Sequence, residues 1–126
     1  MRAMSVLVVD DDTMNRELLQ RMLTRMGWIV SEAPDGRTAI ALCGNNHYEL
    51  IMMDFFMPEL DGVSTARAIR TIYDRAGYKT LLLAVTGSDY GEEEGVVFDG
   101  FLTKPFVLDE LASAIASAQT ALKPER

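Results

Sequence analysis

The sequence predicts an α/β domain: a doubly wound, five-stranded parallel sheet with helices on both faces. Three observations predict it. Short β-prone runs with no polar alternation recur five times along the chain, as strands buried on both faces require. Segments with apolar residues three or four apart separate these runs, which is the period of a helix with one buried face. Four of the five runs end in polar or charged residues, namely Asp10 with Asp11, Asp54, Thr86 and Lys104. Five strand–helix units in 126 residues leave room for one domain, expected over 1–126 with its core at 5–122 and a polar tail at 123–126.

Val6-Leu7-Val8-Val9 reads as the first strand. Thr13 is placed to cap the following helix, whose apolar face is Met14, Leu18, Met22 and Met26 with Leu19 and Leu23 beside them; Gly27 ends it. Trp28-Ile29-Val30 reads as the second strand, and Pro34-Asp35-Gly36 as a turn before a short helix with Ala39, Ile40 and Cys43 on one side. Leu50-Ile51-Met52-Met53 is the third strand, ending at Asp54. A loop containing Met57-Pro58 and Asp61-Gly62 leads into a helix buried through Val63, Ala66, Ile69 and Ile72. Leu81-Leu82-Leu83-Ala84-Val85 is the fourth strand, ending at Thr86. Residues 87–99 contain Gly87, Gly91, Gly95 and the solvated acidic run Glu92-Glu93-Glu94, which predicts a short fourth helix. Gly100-Phe101-Leu102-Thr103 is the fifth strand, ending at Lys104, and the last helix presents Leu108, Leu111, Ala112, Ile115 and Leu122.

Composition excludes several function classes. Nineteen acidic against twelve basic residues give a net charge of −7, the wrong sign for binding nucleic acid through the domain's own surface. A single cysteine excludes an intrachain disulfide and a cysteine metal cluster. The first residues do not read as a signal peptide, and no apolar run approaches the roughly 18 residues of a membrane span, so a cytoplasmic protein without a membrane partner is expected. His47 lies in a polar stretch and reads as a surface-loop residue; Cys43 and most of the eight methionines read as core packing.

In a doubly wound sheet, ligands bind beyond the carboxyl ends of the strands. There the five polar residues converge. Three carboxylates brought together repel unless a cation neutralises them, and oxygen ligands with open positions suit Mg2+. Lys104 and the Thr86 hydroxyl then offer a point charge and a hydrogen-bond donor to an incoming anion. Together these are the parts for an acyl phosphate, with Asp54, alone on the central strand, as nucleophile and the Asp10–Asp11 pair on the metal. Taken singly each residue has a plainer reading: an aspartate after a strand is usually a cap or a turn residue. Joint placement on four strand ends favours the phosphoryl site.

At these positions the sequence resembles the receiver domains of two-component response regulators, through VLVVDDD (6–12), MMDFFMPELDG (52–62), AVTG (84–87) and FLTKPF (101–106). The resemblance implies a flavodoxin-like (βα)5 fold with strand order 2-1-3-4-5. It implies that Asp54 accepts phosphate from a sensor histidine kinase or a histidine phosphotransfer protein, and that the domain then controls a downstream effector or attached domain. Asp10, Asp11 and Asp54 would hold Mg2+ with the backbone carbonyl of Phe56, while Thr86 and Lys104 would contact the phosphoryl oxygens. The Lys104–Pro105 bond would be cis, and Thr86 and Phe101 would form the switch. Asn15-Arg16, Gly27 and Asp35-Gly36 look most like receivers of hybrid histidine kinases. Such a domain is a phosphoacceptor that assists its own phosphorylation and dephosphorylation, not an enzyme with turnover.

The pattern departs from the family in the short interval between Thr86 and Lys104, so dimerisation through residues 91–98 is not expected and the isolated domain should be a monomer. Phe56 and Ser88 occupy positions that govern water access in receivers, and an apolar Phe56 predicts a long-lived phosphoryl state. Two competing readings are a receiver-like interaction domain without phosphorylation, and a haloacid-dehalogenase-type phosphatase with Asp10 as nucleophile and Asp12 as acid. The second leaves Asp54 unexplained.

Overall fold

Strands β1 (Ser5–Val9), β2 (Ile29–Ala33), β3 (Leu50–Asp54), β4 (Leu81–Thr86) and β5 (Gly100–Thr103) form one parallel sheet in the order β2-β1-β3-β4-β5. Helices α1 (Thr13–Arg25), α2 (Gly36–Asn45), α3 (Gly62–Ala76) and α4 (Leu108–Leu122) cover it. The structure, a computed structural model, describes residues 4–55, 57, 60–87 and 97–122, with side chains up to 119. The short helix expected within 87–99, Phe56, Ser88 and the tail at 123–126 lie outside the described residues, wholly or in large part.

Side chains alternate between the two faces of a strand, and both faces are covered, so the strands carry no polar alternation. Leu7, Val9, Ile51, Met53, Leu82 and Ala84 pack with Ala39, Cys43, Ala66, Ile69 and Tyr73 of α2 and α3. Val6, Val8, Leu50, Met52, Leu81, Leu83 and Val85 pack on the other side with Leu19 and Leu23 of α1 and Leu111, Ile115 and Ala118 of α4. Every residue of β3 and β4 is buried.

Register then sets the strand ends. Val9 pairs with Met53, Asp54 with Val85, and Thr86 with Thr103, so the polar residues closing β1, β3, β4 and β5 come out along one edge. Gly62 lets α3 begin hard against that edge, since a Cβ there would lie 2.6 Å from the carbonyl oxygen of Asp54.

Several boundaries differ from expectation. Asp12, not Thr13, caps α1: its backbone is extended and its Oδ1 accepts from the amides of Met14 (2.8 Å) and Asn15 (3.1 Å). Asp35 and Asp61 cap α2 and α3 in the same way. The Asp35 carboxyl is held below the usual range, chiefly by the Thr38 amide. The second strand runs over Ile29–Ala33 rather than 28–30. Trp28 still donates its amide to Leu23 at the end of α1, and β2 is an edge strand whose polar Ser31 and Glu32 hide it from a hydrophobicity reading. On α1 the buried line is Leu19 and Leu23 with Met22 and Met26 flanking, whereas Met14 and Leu18 are exposed (79% and 51%). On α4 Ala112 is exposed and Ala118 is buried instead.

One polar connection had no sequence signal. Arg70 on α3 donates to the carbonyl of Val97 (Nε 3.1 Å, Nη2 2.9 Å) and to Asp99 Oδ2 (2.8 Å), which also accepts from the amide of Leu82 (2.8 Å). This clasp fixes the approach to β5. His47 is exposed, stacked on Tyr78 with ring centroids 4.3 Å apart, as its surface reading predicts.

Candidate functional site

Asp10 continues the ladder beyond β1, its amide donating to the carbonyl of Ala33 at 3.1 Å. The residue is 1% exposed. Oδ1 accepts from the Asp12 amide at 2.9 Å, while Oδ2 is buried without a hydrogen-bond partner. Asp54 closes β3 and is nearly as buried; Asp11 is exposed. One carboxylate oxygen from each of Asp10, Asp11 and Asp54 falls in a group spanning no more than 4.8 Å. Lys104 places Nζ 3.7 Å from both Asp10 Oδ2 and Asp54 Oδ1. The Lys104 amide donates to the Thr86 carbonyl at 2.7 Å, which ties the ends of β4 and β5, and the Lys104–Pro105 bond is cis. Thr86 itself is fully buried at the end of β4. Phe101, half-buried on β5, packs edge-on to Phe98 at 5.7 Å.

The charges do not balance. Two carboxylates 4.8 Å apart repel by about 3.5 kcal/mol at an effective dielectric of 20. Among the described residues Lys104 stands near Asp10 and Asp54, and Asp11 adds a third negative charge to the cluster. Burial pushes the Asp10 carboxyl above its ordinary range; the Asp12 amide and Lys104 pull it down, and the charges of Asp11 and Asp12 push it up further. A converging set of carboxylate oxygens, one of them buried and without a hydrogen bond, is the donor set of a hard divalent cation, and Mg2+ fits it.

Of the residues singled out from sequence, Asp10, Asp11, Asp54 and Lys104 therefore meet in space, and Thr86 adjoins them through strand register. The Phe56 carbonyl lies outside the described residues. Asp12 caps α1 through Oδ1, a structural role that explains it without the dehalogenase-type reading. Sequence reasoning noticed Arg16 without seeing its role: Nη1 donates to the Asp10 carbonyl at 2.8 Å. The constraint on Gly62 was equally invisible. Its only trace is the Asp61-Gly62 pair, seven and eight residues after Asp54.

A doubly wound sheet carrying three acids and a lysine at its carboxyl edge defines a receiver domain. The chain belongs to the response regulator receiver domain family, whose model matches residues 6–116. This places it in two-component signalling, a family in which phosphorylation and Mg2+ binding are general.

Among individual relatives, it is 34% identical over 124 residues to the response regulator MprA of Mycobacterium sp. (strain KMS), an alignment covering 95% of this chain and 52% of MprA. The chain thus spans about half the length of the curated relatives it matches. The chemotaxis protein CheY4 of Vibrio cholerae superposes with a TM-score of 0.84 at 30% identity, over 93% of this chain and 99% of that one. The receiver domain of the Arabidopsis thaliana histidine kinase CKI1, solved with Mg2+ and BeF3-, gives 0.82 at 30% identity, over 93% and 90%. Among the described residues no helix is long and apolar enough to cross a membrane.

Proposed function

We propose that Asp54 accepts a phosphoryl group from a phosphohistidine on a sensor histidine kinase or histidine phosphotransfer protein. A carboxylate oxygen of Asp54 attacks phosphorus in line. The P–O bond forms as the P–N bond breaks, and the imidazole departs with the electron pair and takes up a proton. Lys104, already 3.7 Å from Asp54 Oδ1, offsets charge on the arriving oxygens, and the Thr86 hydroxyl donates to one of them. Asp10, Asp11, Asp54 and the Phe56 carbonyl would hold Mg2+, which supplies further neutralisation at the transferring group.

The observation that carries this reading is the cluster of three carboxylates within 4.8 Å, two of which, Asp10 and Asp54, share Lys104. Phosphoryl occupancy would draw Thr86 inward and let Phe101 fill the space, because a phosphoryl group shifts an equilibrium only by binding one packing better. Phe101 has no hydroxyl, so that state rests on packing alone. The domain is then a cytoplasmic phosphoacceptor, without turnover of its own, that signals to an effector or attached domain. Incubation of wild type and Asp54→Ala with a phosphorylated kinase domain, followed by intact-mass and peptide mapping, tests it. One phosphate on Asp54, absent from the variant, is expected; a label elsewhere, or one retained by Asp54→Ala, overturns it.

A further inference from the structure

We propose that Arg16 is a positioning residue for the metal-binding turn: its guanidinium holds the peptide joining Asp10 to Asp11, and so fixes how these two carboxylates present to the cation. The inference rests on the Mg2+ site proposed above.

Five contacts support it. Arg16 lies in the first turns of α1 with a side chain only 15% exposed. Nη1 donates to the Asp10 carbonyl at 2.8 Å, and Nε reaches Glu32 Oε1 on β2 at 3.2 Å. The Asp10 amide is held from the other side by the Ala33 carbonyl. Asp10 Oδ1 is held by the amide of Asp12, whose own carbonyl accepts the Arg16 amide at 3.0 Å. Among the described residues Asp10 Oδ2 has no hydrogen bond, and it is the oxygen that faces Lys104.

The chemistry suits arginine specifically. A rigid planar fork can serve a carbonyl and a carboxylate at once, whereas the lysine ammonium is a point charge on a flexible stem. Glu32 also neutralises the guanidinium. An unpaired cation beside the acid cluster would compete with Mg2+ for it; the Arg16–Glu32 pair orients the peptide without that competition.

Calorimetric titration with Mg2+ alone tests this on wild type, Arg16→Met, Arg16→Lys and, as a charge control, Arg21→Met on an exposed site of the same helix. Removal of an outer-shell partner costs about tenfold or more in metal affinity. Arg16→Met is expected to bind about tenfold more weakly, Arg16→Lys to stay several-fold weaker than wild type, and Arg21→Met to match wild type or bind slightly tighter. In the metal-free proteins in EDTA, the Asp12 amide should exchange its hydrogen faster in both Arg16 variants. Wild-type affinity in folded Arg16→Met, or full recovery by Arg16→Lys, overturns the inference; if Arg16→Met does not fold, Arg16→Lys and its exchange rate decide. Absence of Mg2+ binding by wild type would instead overturn the site itself, while Asp12 exchange would still report on Arg16.

Discussion

Replacing Asp10 by Asn should make the metal-free protein more stable at neutral pH, and the structure allows the size of the effect to be worked out. The attraction of Lys104 at 3.7 Å amounts to about 4.5 kcal/mol at an effective dielectric of 20. Repulsion from the buried Asp54, with an oxygen no more than 4.8 Å away, returns about 3.5 kcal/mol or more on the same scale, and the exposed, solvent-screened Asp11 adds a smaller amount. These contributions nearly cancel. What remains is the cost of burying a charged carboxylate whose Oδ2 has no hydrogen bond, about 1–3 kcal/mol. Asn keeps the Oδ1 acceptor used by the Asp12 amide and removes the charge.

At about 2.1 cal/mol/K per residue of unfolding entropy, that gain raises Tm by about 4–11 °C. Melting in EDTA, followed by circular dichroism, reads it. Added Mg2+ should stabilise wild type, by about 2.7 kcal/mol at a hundred times Kd, and leave the variant almost unmoved. The pH dependence has a definite sign. Burial raises the folded Asp10 carboxyl above its unfolded value near 3.8, so the native state holds the extra proton between those two points. Wild-type stability falls as pH climbs through that window, and the advantage of the variant vanishes on acidification below it. An Asp10→Asn protein that melts below wild type in EDTA at neutral pH would show that the Lys104 pairing outweighs burial, and the reasoning would be wrong.

Three further outcomes are expected. Lys104→Met should slow labelling of Asp54 by a small-molecule phosphodonor about a hundredfold while Mg2+ still binds, because it removes charge from the arriving oxygens rather than a metal ligand; loss of Mg2+ binding in calorimetry would contradict this. Gly62→Ala should cost about 1–3 kcal/mol in urea denaturation, since the new methyl meets the Asp54 carbonyl, and an unchanged midpoint would show that α3 can shift freely. Burial also pushes the Cys43 thiol up, so it should react with a disulfide reagent at pH 8 far more slowly in the native than in the urea-unfolded chain; equal rates would place the thiol at the surface.

Much of this molecule could be read without coordinates. Strands covered on both faces leave uninterrupted apolar runs, so β1, β3, β4 and β5 were legible nearly to the residue, and the edge strand β2 was not. Its second half looks like loop because Ser31 and Glu32 are polar and not fully buried, whereas β5, the other edge strand, keeps the apolar pair Phe101-Leu102. The acids were harder. Asp10, Asp11, Asp12, Asp35, Asp54 and Asp61 all follow strands or precede helices, and sequence offers no local mark that separates a helix cap from a pocket residue. Three of them, Asp12, Asp35 and Asp61, turned out to be caps, each accepting an amide two or three residues ahead.

What the sequence by itself determined is the alternation of elements and the identity of the polar residues that close the strands, because burial and periodicity are local properties of a chain. The tertiary structure alone decided which acids share a pocket, how far Lys104 stands from them, that Asp10 keeps one oxygen without a hydrogen bond, and that Arg16 grips the Asp10 carbonyl. Those facts depend on strand register and on contacts between residues distant in sequence. Electrostatic energy varies with separation and burial, and neither distance is written along the chain.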